Sequence, residues 1–406
     1  MIRRGLLSDY FEGVTVKTLS AVEVNTNKSN QHEFNGVTSL KKIFGAQEPQ
    51  EFLTRFVWLG EEQEGISEDG TLTWYDSRRN HPTRSEYRLY FPTTPVSELA
   101  EEGDALFIAK RTNGSVLVIV TPADSTIQNQ LLWLFGLNEQ LTLDFVPHEI
   151  DKNSSAEIDF TVRYILDELS IELEEPETDL LDDLIAGFGL KFPSTRIMSD
   201  LARSSLKGFA AKDDPDAALL AWIEREEQLF RRLERHIVSV RLNEGFVETD
   251  GADVDGFLSF SLSVQNRRKS RMGAALENHL EAVFNEYGVR FDRGAKTENR
   301  TKPDFLFPGA IEYHNALFPD TQLTMLGAKS SCKDRWRQVL PEAARIAQKH
   351  LLTLEPGISE NQTTEMASNN LQLVLPRSLH KTFKPKQQSW LMNLREFIEL
   401  VAKKEI

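Results

Sequence analysis

The pair Pro303-Asp304 is followed 25 positions later by Lys329, which stands at the end of an apolar run. A carboxylate and an ammonium at the ends of two strands of one sheet can share an edge although they are distant in the chain. With a hard divalent ion, such a pair suits hydrolysis of a phosphodiester. The ion neutralises charge that builds on the phosphate, and the lysine stands beside the attacking water. One carboxylate holds magnesium weakly, so a second acid is expected. Many nucleases place it two residues before the lysine, where this chain has Gly327. Glu342, 13 residues beyond Lys329 and directly after Pro341, is read as the second ligand, in the first turn of a helix that returns to the strand ends. Glu277, on an earlier amphipathic stretch, is a candidate acid that orients water or ligands from behind.

Each residue also has a plain reading. A Pro-Asp pair marks a turn, a lysine ending a strand snorkels at the surface, and a glutamate opening a helix complements its dipole. Their joint spacing, together with the basic run KDRWR at 333–337, favours the chemical reading.

The elements that must position these groups follow from pattern. DDPD at 213–216 is a helix start, with a helix over Asp216 to Val240. A second helix covers Lys269 to Tyr287, where Met272, Leu276, Leu280, Val283 and Tyr287 form a stripe that ends at Gly288. Strands are expected at Phe305 to Phe307, Gln322 to Lys329 and Leu371 to Leu375, and a helix at Pro341 to Leu352. That order describes an α/β sandwich. Residues 1–150 read instead as strand-rich and barrel-like, with runs such as Val14 to Leu19, Leu72 to Tyr75, Tyr87 to Phe91 and Val116 to Val120. An acidic stretch over 151–190, containing Pro176, reads as the connecting segment before a second domain at 191–406.

With 406 residues, 40% of them hydrophobic, the chain is long enough for two or three cored domains. It has no apolar run of membrane-spanning length and no secretory signal, so the expected location is the cytoplasm, with no membrane partner. The single cysteine, Cys332, allows no internal disulfide. Nor does a histidine signature accompany it as nucleophile, and Cys332 and Trp336 are expected in the core. The net charge of -15 speaks against nucleic acid only if the base is spread evenly. NRRKSR at 266–271 and KSSCKDRWR at 329–337 would instead form a basic cleft on an acidic body.

The stretch from Asn266 to Leu354 resembles the catalytic domain of the EcoRII restriction endonuclease family. The matching segments are NRRKSR at 266–271, ALENHLEAVF at 275–284, KPDFLFP at 302–308, AKSSCKDRWRQVL at 328–340, EAARI at 342–346 and HLLTL at 350–354. The resemblance implies a PD-(D/E)XK fold with a displaced acid. It implies Asp304 and Glu342 as ligands of Mg2+ and Lys329 as the water-side lysine. It further implies that Lys333, Asp334 and Arg335 read the target, a choice that suits G·C pairs, since Arg and Lys donate to guanine and a carboxylate accepts from cytosine.

From the same likeness come a palindromic site with CC and GG flanks, a homodimer on double-stranded DNA, and a cognate DNA methyltransferase as functional partner. Relatives hold a flipped central base between an arginine and an aromatic residue. Here Trp222, Ile223 and Glu227 stand near those positions and the pair is not reproduced. LSAVEVNTNKSNQHEFNGV at 19–37 and WYDSRRNHPTRSEYRLYF at 74–91 resemble the family's N-terminal DNA-binding pseudobarrel. Asn30, Gln31, His32, Glu33, Arg78, Arg79, Arg84 and Arg88 are its candidate DNA contacts. The expected activity is a type II, effector-dependent, Mg2+-dependent endonuclease leaving 5′-phosphate ends. The alternatives are a silent DNA-binding regulator, or a nuclease whose N-terminal domain reads another or a modified sequence.

Overall fold

The computed structural model describes residues 5–24, 32–34, 37–46, 49–60, 64–137, 141–151, 157–174, 178–248 and 251–404. The chain forms two units, one of residues 4–172 with 357–361, the other of 173–356 with 362–406.

The first unit is built on one sheet of seven strands: β1 (Phe11–Thr18), β2 (Gln50–Leu59), β3 (Glu64–Asp76), β4 (Tyr87–Tyr90), β5 (Ala105–Arg111), β6 (Val116–Thr121) and β7 (Val146–Glu149). They run in the order β4-β3-β2-β6-β5-β1-β7. All neighbours are antiparallel except β2 and β6. Side chains two apart along a strand share a face. Phe56 and Trp58, Leu72 and Trp74, Leu106 and Ile108, and Val116, Val118 and Val120 accordingly meet in one core with Phe34, Phe91 and Phe145. Five of the seven strands, β2 to β6, thus bury one face in a common core, which curls the sheet, and this is the pseudobarrel expected for the N-terminal part.

The expected connecting segment at 151–190 contains two helices. Its helix α2 (Phe160–Glu168), which follows α1 (Thr126–Leu134), buries Phe160, Val162, Ile165 and Leu166 in the first unit. Its later part, α3 (Thr178–Ile185), buries Leu181 and Ile185 in a cluster with Met198, Ala202, Leu229 and Leu233 of the second unit. The acidic composition hid two amphipathic helices whose apolar faces are narrow.

In the second unit, α4 (Thr195–Ser205), α5 (Pro215–Glu244) and α6 (Val254–Tyr287) pack beside a five-stranded sheet. Its strands β8 (Asp292–Arg293), β9 (Phe305–Phe307), β10 (Thr324–Lys329), β11 (Lys349–Thr353) and β12 (Leu371–Val374) lie in sequence order. β8, β9 and β10 are mutually antiparallel; β10, β11 and β12 are parallel. Asp214 caps α5 by accepting from the Asp216 and Ala217 amides, with Pro215 at the first helical position. Gly288, left-handed at φ 71°, ends α6. Phe284 of α6 and Phe397 of the last helix, α8 (Leu394–Lys404), both meet Phe307 of β9, with ring centroids 5.2 and 5.6 Å away. One face of the sheet is thereby covered, and α7 (Glu360–Ser368) connects β11 to β12.

The helix expected over Pro341 to Leu352 is absent. Residues 341–348 are turns, and Lys349–Thr353 is β11, the middle one of the three parallel strands. All five residues of Lys349–Thr353 are buried although three of them are polar, so the strand has no alternation of apolar and polar residues that would set it apart from a helix.

Candidate active site

The register of β9 on β10 sets Phe305 opposite Leu326 and Leu306 opposite Met325. One step further, Asp304 faces Gly327. Asp304 lies on the sheet face turned away from α6, since Phe305 carries the aromatic contact to Phe284. Lys329, two residues beyond Gly327, lies on that same face. Asp304 Oδ2 accepts from the Ala328 amide at 2.7 Å and from Lys329 Nζ at 2.9 Å. The two side chains keep 17% and 24% of their exposure, so the pair is sheltered but open to a ligand.

The empty acid position has a steric cause. A Cβ on Gly327 would lie 2.9 Å from Val339 Cγ2 and 3.2 Å from Val339 Cγ1. Val339 ends the 3-10 helix Lys333–Val339 that packs on this face. Gly327→Ala is expected to destabilise the fold by about 1–3 kcal/mol through overpacking, measured by denaturant unfolding. Gly327→Asp would cost more, because it adds a buried charge, and would not supply a usable ligand.

Glu342 sits on the turn between that 3-10 helix and β11. The turn is fixed from several sides. The Ala343 amide donates to Thr297 Oγ1 at 3.4 Å and the Ala344 amide to Glu298 Oε2 at 3.2 Å. Arg345 donates to the carbonyls of Tyr313, Asn315 and Phe318. Buried Lys349 donates to the Ala343 carbonyl at 2.7 Å and to that of Ile346. Glu342 Oε2 is buried with no hydrogen-bond partner. Burial first, and the charge of Asp304 second, push its carboxyl up to about 7, against the opposing pull of Lys329 and Lys349. An unpartnered buried carboxylate oxygen beside a second carboxylate is a donor set that fits a hard divalent cation. Among the described residues no group of three or more His, Cys, Asp or Glu is arranged as a metal cluster.

Glu277 is engaged elsewhere. Its Oε2 accepts from Arg293 Nε at 3.0 Å and Nη2 at 2.8 Å, and the same arginine reaches Asn278 and Glu281. Arg293 pairs with Phe305 across β8 and β9, next to Asp304 in the chain. Glu277 thus braces the strand beside Asp304 through Arg293.

Lys333 opens the 3-10 helix and Arg335 is exposed on it; the side chain of Asp334 lies outside the described residues. Cys332 and Trp336 are fully buried, and burial raises the Cys332 thiol well above its ordinary range, which leaves it protonated.

The three arginines of the basic run at 266–271 are engaged by neighbouring groups. Arg268 pairs with Glu234, and Arg271 with Glu226 and Glu227, all three acids on α5. Arg267 lies over the Phe192 ring. Trp222, Ile223 and Glu227 are buried between these helices and offer no surface to a base.

In the first unit, Asn30 and Gln31 lie outside the described residues. His32 stands edge-on to Phe91, and Glu33 accepts from Tyr75 Oη at 2.6 Å and Arg88 Nη1 at 2.8 Å. Arg78 and Arg88 both pair with Glu86, whereas Arg79 and Arg84 are exposed. Sequence reasoning missed Lys349, Arg345 and Glu355, which hold the turn or the segment after Lys329. Spacing carries no signal for a charge whose partner is a backbone group.

Residues 230–398 match the EcoRII-C family, described as EcoRII C terminal. The Type II restriction enzyme EcoRII of Escherichia coli is 43% identical over 212 residues, 52% of this chain and 50% of that enzyme. The chain thus spans about half the length of this curated relative. Two solved structures are also similar. Metal-depleted Ecl18kI in complex with uncleaved, modified DNA has 19% identity and a TM-score of 0.45 over 56% of this chain and 83% of that one. The restriction endonuclease PspGI-substrate DNA complex has 14% identity and a TM-score of 0.39 over 56% and 93%. Asp304, Lys329 and Glu342 all lie within the residues, 230–398, that match the EcoRII C-terminal family model.

Proposed function

We propose that the chain is a type II restriction endonuclease that makes Mg2+-dependent double-strand cuts in DNA at a palindromic site with CC and GG flanks. The observation that carries this reading is the unpartnered, buried Glu342 carboxylate beside the Asp304–Lys329 pair, within residues that match the EcoRII C-terminal family. Asp304 and Glu342 would hold the cation, which supplies Lewis-acid neutralisation of charge on the phosphate. Lys329, fixed by Asp304, holds its ammonium where it stabilises hydroxide character on the attacking water. The leaving group is the 3′-oxygen, so the ends carry 5′-phosphate and 3′-hydroxyl. Lys333, Asp334 and Arg335 meet base edges in the major groove.

A palindrome calls for a C2 homodimer with one second unit per half-site. The first unit binds an additional copy of the site through Arg79 and Arg84 and the residues around His32. Glu33 and Glu86 orient Arg88 and Arg78 at the same surface. A DNA methyltransferase that marks the same site would be the functional partner, and the workplace is the cytoplasm; no helix among the described residues is long and apolar enough to cross a membrane.

Incubating the full chain with mixed genomic DNA and magnesium, then sequencing the fragment ends, tests this reading. The expected result is one shared palindrome, one stagger and 5′-phosphate ends. Binding in a gel shift with no cleavage of multi-site DNA would overturn it in favour of a DNA-binding regulator.

A further inference from the structure

Glu355 follows β11 by two residues, and its side chain is buried at 4% exposure. Its Oε2 accepts from the backbone amides of Cys332 and, at 3.2 Å, of Lys333. A carboxylate removed from water needs such donors, since an uncompensated buried charge is strongly unfavourable. The donors come as a pair for a conformational reason. Cys332 is right-handed helical at φ −79°, ψ −57°, and Lys333 has a positive φ of 30°. Successive amides in that combination converge on one point and form an anion-binding concavity.

A lysine at positive φ is strained, and such strain persists only where neighbouring contacts hold it. Here the anion is supplied by the adjoining strand. β10 and β11 are parallel with Lys329 opposite Thr353, and the Glu355 amide donates to Thr353 Oγ1 at 3.2 Å. The carboxylate therefore meets the chain three residues after the catalytic lysine, at the point where the segment Lys333 to Arg335 sets out. The Arg335 amide closes back on the Cys332 carbonyl at 2.6 Å, so the direction taken at Cys332 and Lys333 is passed on to Arg335. Lys329, in contrast, is held by Asp304.

We propose that Glu355 is a positioning residue for sequence recognition: its carboxylate fills the backbone concavity at Cys332 and Lys333 and thereby aims Lys333, Asp334 and Arg335 at the base edges. This deepens the reading of those three residues as base contacts and rests on it. Removing the carboxylate releases the strained Lys333 backbone and blunts discrimination between bases more than it slows the cut.

The test uses the full chain, the site returned by sequencing fragment ends, and all single-base variants of that site. Glu355→Ala is expected to lower the ratio of kcat/KM between the site and its best variant by about tenfold to a hundredfold, the range that one good base contact supplies. The rise in KM on the correct site should exceed the fall in kcat. Glu355→Gln, which keeps one accepting oxygen and the same shape, is expected to fall between the two and keeps the test open should the alanine variant not fold. A uniform loss of cleavage with the ratio unchanged in both variants overturns the proposal. Arg335→Ala separates the two levels: if it lowers the ratio and the Glu355 variants do not, only the positioning role fails. If Arg335→Ala leaves the ratio unchanged, the base-reading role of the segment fails and that of Glu355 with it.

Discussion

Asp304→Asn is expected to reduce single-turnover DNA cleavage by at least about 10³-fold, the upper range for deleting one preorganised electrostatic contact, while the protein stays folded. The amide oxygen of asparagine still accepts from the Ala328 backbone, so the junction of β9 and β10 is kept. The charge is lost, and with it the partner that holds Lys329 Nζ at 2.9 Å and one of the two acids proposed to hold the cation. Because the pair is partly exposed, the freed ammonium can reach water, and the stability cost is that of a weakened surface-side ion pair, about 0–1 kcal/mol. DNA binding in the absence of metal should be retained. Cleavage, thermal unfolding and a gel shift on the same preparation decide the matter: full cleavage by the asparagine variant would remove Asp304 from the chemistry.

The second large effect concerns pH. Glu342 carries its proton up to about pH 7 in the metal-free protein, against an ordinary value of 4.5. A cation needs the carboxylate, so proton and metal compete for it. Below about pH 7 the metal concentration for half-saturation should rise roughly tenfold for each pH unit, and above it the dependence should flatten. The sign for stability is opposite to that of an ordinary paired carboxylate. Between 4.5 and about 7 the folded state keeps a proton that the unfolded state has released, so the contribution of Glu342 is present below pH 4.5 and lost as pH rises through about 7. Added metal restores it at the alkaline end. Calorimetric magnesium titrations at pH 6, 7 and 8, with melts in chelator, measure both. Glu342→Gln should flatten both profiles; a binding constant independent of pH in the unaltered protein would contradict the assignment of Glu342 as ligand.

The parts of this architecture that could be read from sequence are those whose signals are local. The start of α5 at Asp214-Pro215 and the end of α6 at Gly288 are written in capping residues. The strand β9 and the run ending at Lys329 are short apolar segments with sharp boundaries. Non-local facts were not accessible. Arg268 and Arg271 look like a basic patch until α5 brings Glu234, Glu226 and Glu227 against them from 34 to 45 residues away. The turn bearing Glu342 looks like a helix because Pro341-Glu342 is a good first turn and Ala343, Ala344 and Ala347 are strong helix formers, whereas the parallel part of the sheet takes Lys349–Thr353 as its middle strand. Glu355 gives no sign in a spacing pattern, because its partners are backbone amides.

The contact between Gly327 and Val339 has a historical consequence. Returning the acid to the strand by mutation requires two changes, a carboxylate at 327 and a smaller residue at 339, and each alone is harmful: the first collides with Val339, the second opens a cavity in a buried position. On the proposed assignment of Glu342 as the second ligand, a chain with its acid on the turn thus sits on one side of a fitness valley. No single substitution at 327 or 339 leads from one layout to the other without a loss of packing.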